Sequence, residues 1–182
     1  IPNDIAGITS TTILVIDDGS SDRTSEIARN EGALVIRHER RRGVGAAFRT
    51  GTQHSTELGA DIIVTIDGAG QFNPNDISAL IEPILSGNSD FVTASRFADK
   101  ALIPVMPCIK KWGNNFMARL ISTMVGSRFH DVSCGFRAYS RNAYLRLVLT
   151  GDFTYTHEVF LTLAYAGISI REVPLKVRGV RE

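Results

Sequence analysis

The chain has few cysteines, little net charge and no long apolar run. Its 182 residues include two cysteines, Cys108 and Cys134, which match no metal-ligand spacing and no disulfide framework. The formal net charge of +1 gives no bulk attraction to nucleic acid, so no nucleic-acid partner is expected. No apolar run approaches the ~20 residues that span a bilayer, and no signal-peptide pattern is present.

The composition is that of an ordinary globular protein. Hydrophobic residues make up 43% of the chain and charged residues 21%, and this length can bury a sizeable core. We therefore expect residues 1–182 to form a single domain. Because the sequence starts at Ile1 rather than Met, we expect a trimmed chain that lacks an element at its front. Membrane segments after Glu182 are left open.

Short β-branched runs alternate with helical patterns along the chain. The predicted strands are 12–17, 33–37, 61–66, 91–94 and 168–177. The predicted helices are 22–30 (capped by Ser21 or Asp22, with Ile27 and Ala28 facing inward), 44–58, one opening at Asn75 or Asp76, 109–124, 144–149 and 158–165. This alternation predicts an α/β fold with a mainly parallel sheet flanked by helices.

Acidic residues follow two of the predicted strands. Asp17 and Asp18 end the first, and Asp67 ends the third. Ligands bind beyond the carboxyl ends of strands in open parallel sheets, although one such Asp alone is more often a helix cap. Carboxylates can accept hydrogen bonds from a base or a ribose, whereas a pyrophosphate requires a divalent cation between itself and a carboxylate. The position two residues after Asp67, where a second metal ligand would stand, is Ala69.

An ordered set of motifs resembles glycosyltransferase family 2. The motifs are Asp17-Asp18-Gly19-Ser20-Ser21-Asp22, Arg42-Gly43-Val44-Gly45-Ala46-Ala47, Asp67-Gly68-Ala69-Gly70-Gln71, Ala94-Ser95-Arg96-Phe97, Asp131-Val132-Ser133-Cys134-Gly135-Phe136-Arg137, and Glu172-Val173-Pro174 with Arg178. They cover nearly the whole chain in the family's order. Within the family, the chain is most similar to the dolichol- or polyprenyl-phosphate mannosyl- and glucosyltransferases.

The resemblance implies a GT-A fold and an inverting transfer reaction. The donor would be a GDP- or UDP-hexose, and the acceptor a polyprenyl or dolichyl phosphate at a membrane surface. The enzyme would then be cytoplasmic, peripheral to or anchored at the cytoplasmic face of that membrane. We also leave open a soluble glycan as the acceptor.

The resemblance also implies roles for individual residues. Asp17 and Asp18 would hold the base and ribose, and Asp67 with Gln71 would hold Mg²⁺ or Mn²⁺. The acceptor phosphate or leaving group would be neutralised by Arg96 and by one of Lys110 and Lys111, with help from Arg178, and Arg137 is placed in the same ligand-binding set. If a general base is used, Asp131 is the first candidate and Glu158 the second.

The chain departs from the family pattern at three places. Ala69 removes a metal ligand, Glu39 and Val44 replace a frequent Asn and Lys, and the family's first strand is absent before Ile1. Ala69 fits both an engineered Asp→Ala change and a natural loss. An alternative hypothesis is therefore a catalytically inactive nucleotide-sugar-binding or scaffold domain of the same fold.

Two further patterns are interpreted without a catalytic role. The four histidines share no spacing and are taken as surface or core residues. Trp112, Phe116 and Leu120 recur at helical steps, which indicates either core or a membrane-facing helix surface. The apolar stretch 101–106 fits ordinary core, but Pro104 and Pro107 and its position after Arg96 favour a mobile acceptor loop near the bilayer.

Overall fold

The computed structural model describes Ile5 and residues 7–104, 106–149 and 155–177. The strands are β1 (Leu14–Asp17), β2 (Leu34–Arg37), β3 (Ile62–Thr65), β4 (Phe91–Ser95), β5 (Arg137–Ser140) and β6 (Ile170–Pro174). The helices are α1 (Thr24–Asn30), α2 (Val44–Glu57), α3 (Ile77–Leu85), α4 (Cys108–Val125), α5 (Arg141–Tyr144) and α6 (Tyr155–Tyr165), with 3₁₀ turns at Pro74–Asp76 and Lys100–Leu102.

The chain divides into two units. Unit 1 comprises Ile1–Ala60 and Leu149–Tyr155, and unit 2 comprises Asp61–Val148 and Thr156–Glu182. The expectation that they form a single catalytic domain stays a prediction. None of the described helices is long and apolar enough to cross a membrane.

Unit 1 is built on the parallel pair β1 and β2, whose register runs from Leu14 opposite Leu34 to Asp17 opposite Arg37. Helix α2 approaches β1 at Gly51, where an added Cβ would lie 3.4 Å from Cγ1 of Ile16. A glycine there costs helix propensity but lets the helix pack closely on the strand.

The first helix differs from its prediction in which side it buries. The prediction that Ile27 faces inward is wrong, because its side chain is 54% exposed. Ser25 is the buried residue of α1, since its hydroxyl donates to the carboxylate of Asp17. The carboxylate of Asp22, the residue directly before the helix cap, accepts the backbone N–H of Thr24 at 3.0 Å.

Unit 2 contains a four-stranded sheet in the order β3-β5-β4-β6. Strand β4 is parallel to β6, whereas β5 lies antiparallel between β3 and β4. Three of its four strands therefore run in one direction, which confirms a mainly parallel sheet with one reversed strand. The sequence prediction missed β5, because Arg137-Ala138-Tyr139-Ser140 alternates neither in polarity nor as an apolar run.

The core of unit 2 is aromatic. Phe91, Tyr139 and Phe160 are inaccessible to solvent, and the ring centre of Phe91 lies 4.9 Å from that of Tyr139 and 5.4 Å from that of Phe160. Such contacts add to the hydrophobic burial of each ring. These rings pack on β4 and β5, to which Phe91 and Tyr139 belong.

Most predicted boundaries agree with the structure, and one helix does not. Helix α4 covers the predicted 109–124 and ends at Gly126, whose φ is 72°. The prediction of a helix over 144–149 is wrong. The helix there is α5, which begins after Ser140 because that side chain accepts the backbone N–H of Ala143 at 3.1 Å.

Candidate functional site

In unit 1, Asp17 organises the turn that follows β1. Its carboxylate is 2% exposed and accepts the Ser25 hydroxyl and, at 2.8 Å, the Ser20 backbone N–H. The Arg37 guanidinium lies 3.7 Å away. These bonds, that of Ser25 foremost, lower the pKa of Asp17 to about 2. Asp17 is therefore ionised at neutral pH and committed to local structure.

Asp18 connects the end of β1 to the start of α2. Its carboxylate accepts the backbone N–H groups of Arg42 and Gly43 at 2.9 and 2.8 Å, and lies 2.7 Å from Nδ1 of His38. Burial opposes ionisation of Asp18, but the His38 and backbone hydrogen bonds outweigh it and lower the pKa. His38 also lies 3.0 Å from the Thr50 hydroxyl, so it is a core histidine with both nitrogens in contact.

The glycine of the Asp17-Asp18-Gly19 segment is required by the loop that Asp18 holds. Gly19 has a φ of +77°, and an added Cβ would lie 2.8 Å from the backbone nitrogen of Arg41. No other residue can occupy this position without moving the loop. The family-like pattern in unit 1 thus has a structural reason, and the predicted contacts of Asp17 and Asp18 with base and ribose stay a prediction.

In unit 2, an open cavity of about 440 Å³ brings together several of the predicted residues. It is lined by Gln71, Arg96, Phe97, Met106, Lys110, Gly113, Asn114, Met117, Ser133 and His157. Its charged lining residues Arg96 and Lys110 are both cations. The cavity therefore suits an anionic group carried on an apolar body.

Arg96 is held at the cavity wall by a bidentate ion pair with Asp131. The Arg96 Nε lies 2.6 Å from Oδ2 of Asp131, and Nη2 lies 2.9 Å from Oδ1. Asp131 is fully buried, whereas the Arg96 side chain is 22% exposed. Burial would lower the pKa of Arg96, but the Asp131 carboxylate raises it above its usual value, so the guanidinium stays charged.

The turn that carries Asp131 is tied down on both sides. Nη2 of Arg96 donates to the Ser133 hydroxyl at 2.8 Å, and that hydroxyl lies 3.0 Å from Oδ1 of Asn114. On the other side, Glu172 accepts the backbone N–H groups of His130 and Asp131. The result is a continuous polar network from β6 to the cavity wall.

Asp67 lies exposed just beyond β3. An added Cβ at Gly135 would lie 2.8 Å from Oδ2 of Asp67, so this glycine leaves room for the carboxylate. The negative charge of Asp67 contributes to the raised pKa of Arg96, after the larger effects of burial and Asp131. Asp67 makes no hydrogen bond or ion pair with another residue in the part of the chain that the structure describes.

The predicted metal site fits these residues only if the protein supplies one or two of the ligands. Within the described residues, no group of three or more His, Cys, Asp or Glu side chains could hold a metal ion, and Ala69 contributes no ligand. Mg²⁺ and similar ions can bind through one or two protein oxygens, with phosphate and water filling the remaining positions. Asp67 and Gln71 could supply such oxygens.

One of the predicted cationic residues, Arg137, is placed differently from expectation. Arg137 is fully buried: its Nη2 donates to the Val132 carbonyl at 3.0 Å, and its guanidinium carbon lies 5.1 Å from the Phe160 ring centre. Its predicted ligand-binding role does not fit this core position and is corrected. Lys111 is exposed and is not among the cavity-lining residues, whereas Lys110 is. Arg178 lies outside the described residues.

Several cavity residues are not among the predicted site residues. His157 is predicted to be a surface or core histidine, but it lines the cavity, and burial lowers its pKa. Asn114 and Met117 lie four and seven positions after Lys110, which is the spacing of one helix face. That spacing could have grouped them. Ser133 lies in the family-like motif that begins at Asp131, which could have indicated it, whereas nothing local to His157 indicates the cavity. Glu158, the second candidate base, is partly buried on α6.

Comparison with known proteins assigns the family. Residues 8–148 match the family model described as glycosyl transferase family 2. The chain belongs to this family. It is 31% identical over 184 residues to the UDP-N-acetylglucosamine–dolichyl-phosphate N-acetylglucosaminyltransferase of Methanococcus voltae, covering 90% of this chain and 73% of that protein. It is 33% identical over 167 residues to the dolichyl-phosphate hexose transferase of Haloferax volcanii, covering 91% and 69%.

Solved structures agree on the fold of this family 2 chain. It is similar to glucosyl-3-phosphoglycerate synthase from Mycobacterium tuberculosis, crystallised with Mn²⁺ and UDP-glucose. The TM-score is 0.69 at 21% identity, covering 93% of this chain and 60% of that chain. The predicted GT-A fold and the predicted enzyme class, glycosyltransferase, are confirmed. The chain spans about 60% of the length of this structural relative.

Proposed function

We propose that this chain is the catalytic portion of an inverting glycosyltransferase. It transfers a hexose from a nucleoside-diphosphate sugar to a polyprenyl or dolichyl phosphate. The observation that carries this proposal is the cavity of unit 2, in which Arg96 and Lys110 face an otherwise largely apolar and neutral lining. Relatives named for transfer to dolichyl phosphate support the same acceptor class.

The cations of the cavity would stabilise the negative charge of the acceptor phosphate or of the leaving group. Fixed cations that meet developing charge are usually a large part of catalysis. A phosphate acceptor is already ionised near neutral pH, so the reaction needs no strong base. The role of Asp131 as general base stays a prediction. Its carboxylate is fully buried, and both of its oxygens accept hydrogen bonds.

The donor would be bound through the predicted acidic residues. We assign the base and ribose to the segment of Asp17 and Asp18. Asp17, which is almost fully buried, would order this segment, and Asp18, whose side chain is 23% exposed, would accept hydrogen bonds from the ligand. Asp67 with Gln71 would hold Mg²⁺ or Mn²⁺, which would neutralise the diphosphate as it departs. The base and the hexose of the donor are not assigned.

We also assign this family 2 domain to the cytoplasmic face of a membrane, with α4 as its contact surface. The apolar side of α4 is exposed: Ile109 71%, Trp112 65%, Phe116 54%, Leu120 44% and Met124 48%. The helix carries Lys110, Lys111 and Arg119 and no acidic residue. An exposed apolar stripe with basic neighbours is typical of a helix that lies in an anionic lipid interface. Lys110 of the same helix lines the cavity.

The lone tryptophan of the chain reports directly on this membrane assignment. With vesicles of anionic phospholipid, the Trp112 emission is expected to shift to shorter wavelength, and the chain should float with the vesicles. Phe116→Ser should weaken flotation, whereas Leu145→Ser, a matched change at a residue 57% exposed on another element, should not. Equal binding by both variants would refute α4 as the contact surface, and self-association without lipid would identify a second copy as its partner.

The alternative is an inactive member of the family that binds nucleotide sugar or recruits partners. Ala69 favours it, together with the absence of an acidic cluster among the described residues. The test is transfer of labelled hexose from UDP- and GDP-sugars to polyprenyl phosphate, by this chain and by its Ala69→Asp variant. Metal-dependent transfer that appears or increases in the variant supports the enzyme. No transfer by either, with nucleotide still bound, supports the inactive alternative, and transfer only to soluble glycans would replace the lipid acceptor.

A further inference from the structure

We propose that Glu172 is a positioning residue for Arg96, acting through the turn that carries Asp131. The phosphate-binding role of Arg96 rests on the proposed function, whereas the mechanical link from Glu172 to Arg96 does not. The family-like motif Glu172-Val173-Pro174 gives Glu172 no role, and the Glu172 side chain is outside the cavity lining. The link is visible only in the hydrogen bonds.

The first step is the contact between Glu172 and the turn. Its Oε1 accepts the backbone N–H of Asp131 at 2.8 Å, and its Oε2 accepts the backbone N–H of His130 at 2.9 Å. Oε2 also lies 2.8 Å from Nδ1 of His130. The Glu172 side chain is 9% exposed. Bonds between a carboxylate and N–H donors in such a shielded place are strong, so the turn is fixed to β6.

The second step is the contact between the turn and Arg96. The Asp131 carboxylate takes Nε and Nη2 of the guanidinium, and it also accepts the Arg96 backbone N–H at 3.1 Å. Nη2 gives its second hydrogen to Ser133. These bonds use three of the five guanidinium donors. Among the described residues no acceptor bonds to Nη1, so its two donors are left for a ligand in the cavity.

The third step is the pairing of β6 with β4, which fixes the positions of Glu172 and Arg96 relative to each other. Glu172 lies opposite Thr93 in the parallel pairing of β6 with β4, and β4 ends at Ser95, directly before Arg96. The carboxylate that fixes the turn and the backbone that carries the guanidinium are therefore on paired strands. A shift of the turn relative to β4 and β6 would move Asp131 and rotate Arg96 away from its position in the cavity wall.

The network also explains why a buried carboxylate at position 131 need not be a base. Glu172 accepts the backbone N–H groups of His130 and Asp131, and the Asp131 carboxylate in turn accepts from Arg96 and Ser133. A group held to within a fraction of an ångström is what transition-state stabilisation needs, and a displacement of about 1 Å can reduce the rate about 100-fold. Glu172 thus acts on the reaction without touching the substrate.

The test variant is Glu172→Gln, which keeps the side-chain volume but replaces one acceptor oxygen with an NH₂ donor facing the turn. Arg171→Gln, at an exposed residue of the same strand, is the matched control. The direct readout is the NMR signal of Arg96 Nε–H, assigned by its loss in Arg96→Lys. The parent and the control should keep a shifted, slowly exchanging signal, and Glu172→Gln should speed its solvent exchange at least about 10-fold.

The functional readouts are the affinity for a short-chain polyprenyl phosphate and the kinetics of transfer. Glu172→Gln should weaken phosphate binding and lower kcat/KM by about 10- to 100-fold, with the KM for the donor unchanged. Ser133→Ala removes the other acceptor of the Arg96 guanidinium and should change the same NMR signal. In the double variant with Glu172→Gln, the combined effect should be smaller than the sum of the two single effects. An unchanged Arg96 signal and phosphate affinity in folded Glu172→Gln overturns the proposal.

These outcomes separate the positioning role from the proposed function. If Glu172→Gln alters the Arg96 signal but the parent transfers no sugar, the transferase assignment fails and the mechanical link stands. If the parent transfers sugar and Glu172→Gln leaves both the signal and kcat/KM unchanged, only the positioning role fails. Should Glu172→Gln not fold, Glu172→Asp, which keeps the charge but shortens the side chain by one methylene, decides: an unchanged Arg96 signal and phosphate affinity there refute the positioning role.

Discussion

The strongest prediction on stability concerns the hydrogen bond from Ser25 to Asp17. This bond is the largest cause that lowers the Asp17 pKa from 3.8 to about 2. A group whose pKa is lowered on folding stabilises the fold above its unfolded pKa, and loses this effect as the pH falls through its folded pKa. The stabilisation is therefore complete above about pH 5 and is lost between about pH 4 and pH 2.

The magnitude follows from the size of the shift. At about 1.4 kcal/mol for each pKa unit, the whole set of interactions around ionised Asp17 contributes roughly 2 kcal/mol. Ser25→Ala removes the largest of them and leaves the Ser20 N–H and Arg37, so about 1 kcal/mol should be lost at pH 7. The loss should shrink as Asp17 becomes protonated.

Urea unfolding of Ser25→Ala and the unchanged chain between pH 7 and pH 3 measures this difference. Ser21→Ala, an exposed serine of the same loop, is the control and should be neutral throughout. An NMR titration of the Asp17 carboxyl carbon should give a pKa of about 2 in the unchanged chain and a higher value in Ser25→Ala. A loss of stability that is the same at every pH, with an unchanged Asp17 pKa, would show that the Ser25 hydroxyl does not stabilise the ionised carboxylate of Asp17.

Two glycine substitutions and the two thiols give further predictions. Gly19→Ala should cost about 2 kcal/mol or more in urea unfolding, because the new Cβ meets the Arg41 backbone at 2.8 Å; a neutral result would contradict the loop geometry. Gly135→Ala should change stability by less than about 1 kcal/mol, yet weaken Mn²⁺-dependent nucleotide affinity in calorimetry, because it displaces the Asp67 carboxylate; unaltered affinity would remove Asp67 from the site. Burial raises the pKa of Cys134 to about 12, so a thiol reagent at pH 7 should modify exposed Cys108 alone in the folded chain; rapid reaction of both would contradict this burial.

Much of the fold could be predicted because its signals are local. The strand and helix that flank Asp17, and the long helix α4, follow from apolar periodicity and from glycines such as Gly126 that end helices. Strand β5 could not be predicted in this way. Its Arg137 is buried by aromatic neighbours that are distant in sequence, including Phe160, and a buried arginine leaves no local apolar signal.

The candidate site, too, could be predicted only in part from local sequence signals. The residue types at Asp67, Arg96 and Asp131 are visible as motifs, and the structure brings Arg96 and Asp131 together. Which atoms bond to which, however, depends on strand register. The role of Glu172 can be recognised only from the pairing of β6 with β4, and the sequence of neither strand predicts that pairing.

The exposed side of α4 shows the opposite case, in which a pattern is visible but its environment is not. Trp112 and Phe116 recur at helical spacing, which predicts an apolar face but does not separate core from surface. The structure places both on the surface, with their rings stacked at 5.7 Å. That face is therefore left without a partner in the described part of the chain.

The central claim, that this chain is a metal-dependent nucleotide-sugar enzyme, is tested most directly by calorimetry. UDP and GDP are titrated into the chain and into its Ala69→Asp variant, each with and without Mn²⁺. We expect one of the two nucleotides to bind, with an affinity that Mn²⁺ increases and that increases further in Ala69→Asp. Absence of binding by both proteins, or binding that neither Mn²⁺ nor Asp at position 69 alters, would contradict it.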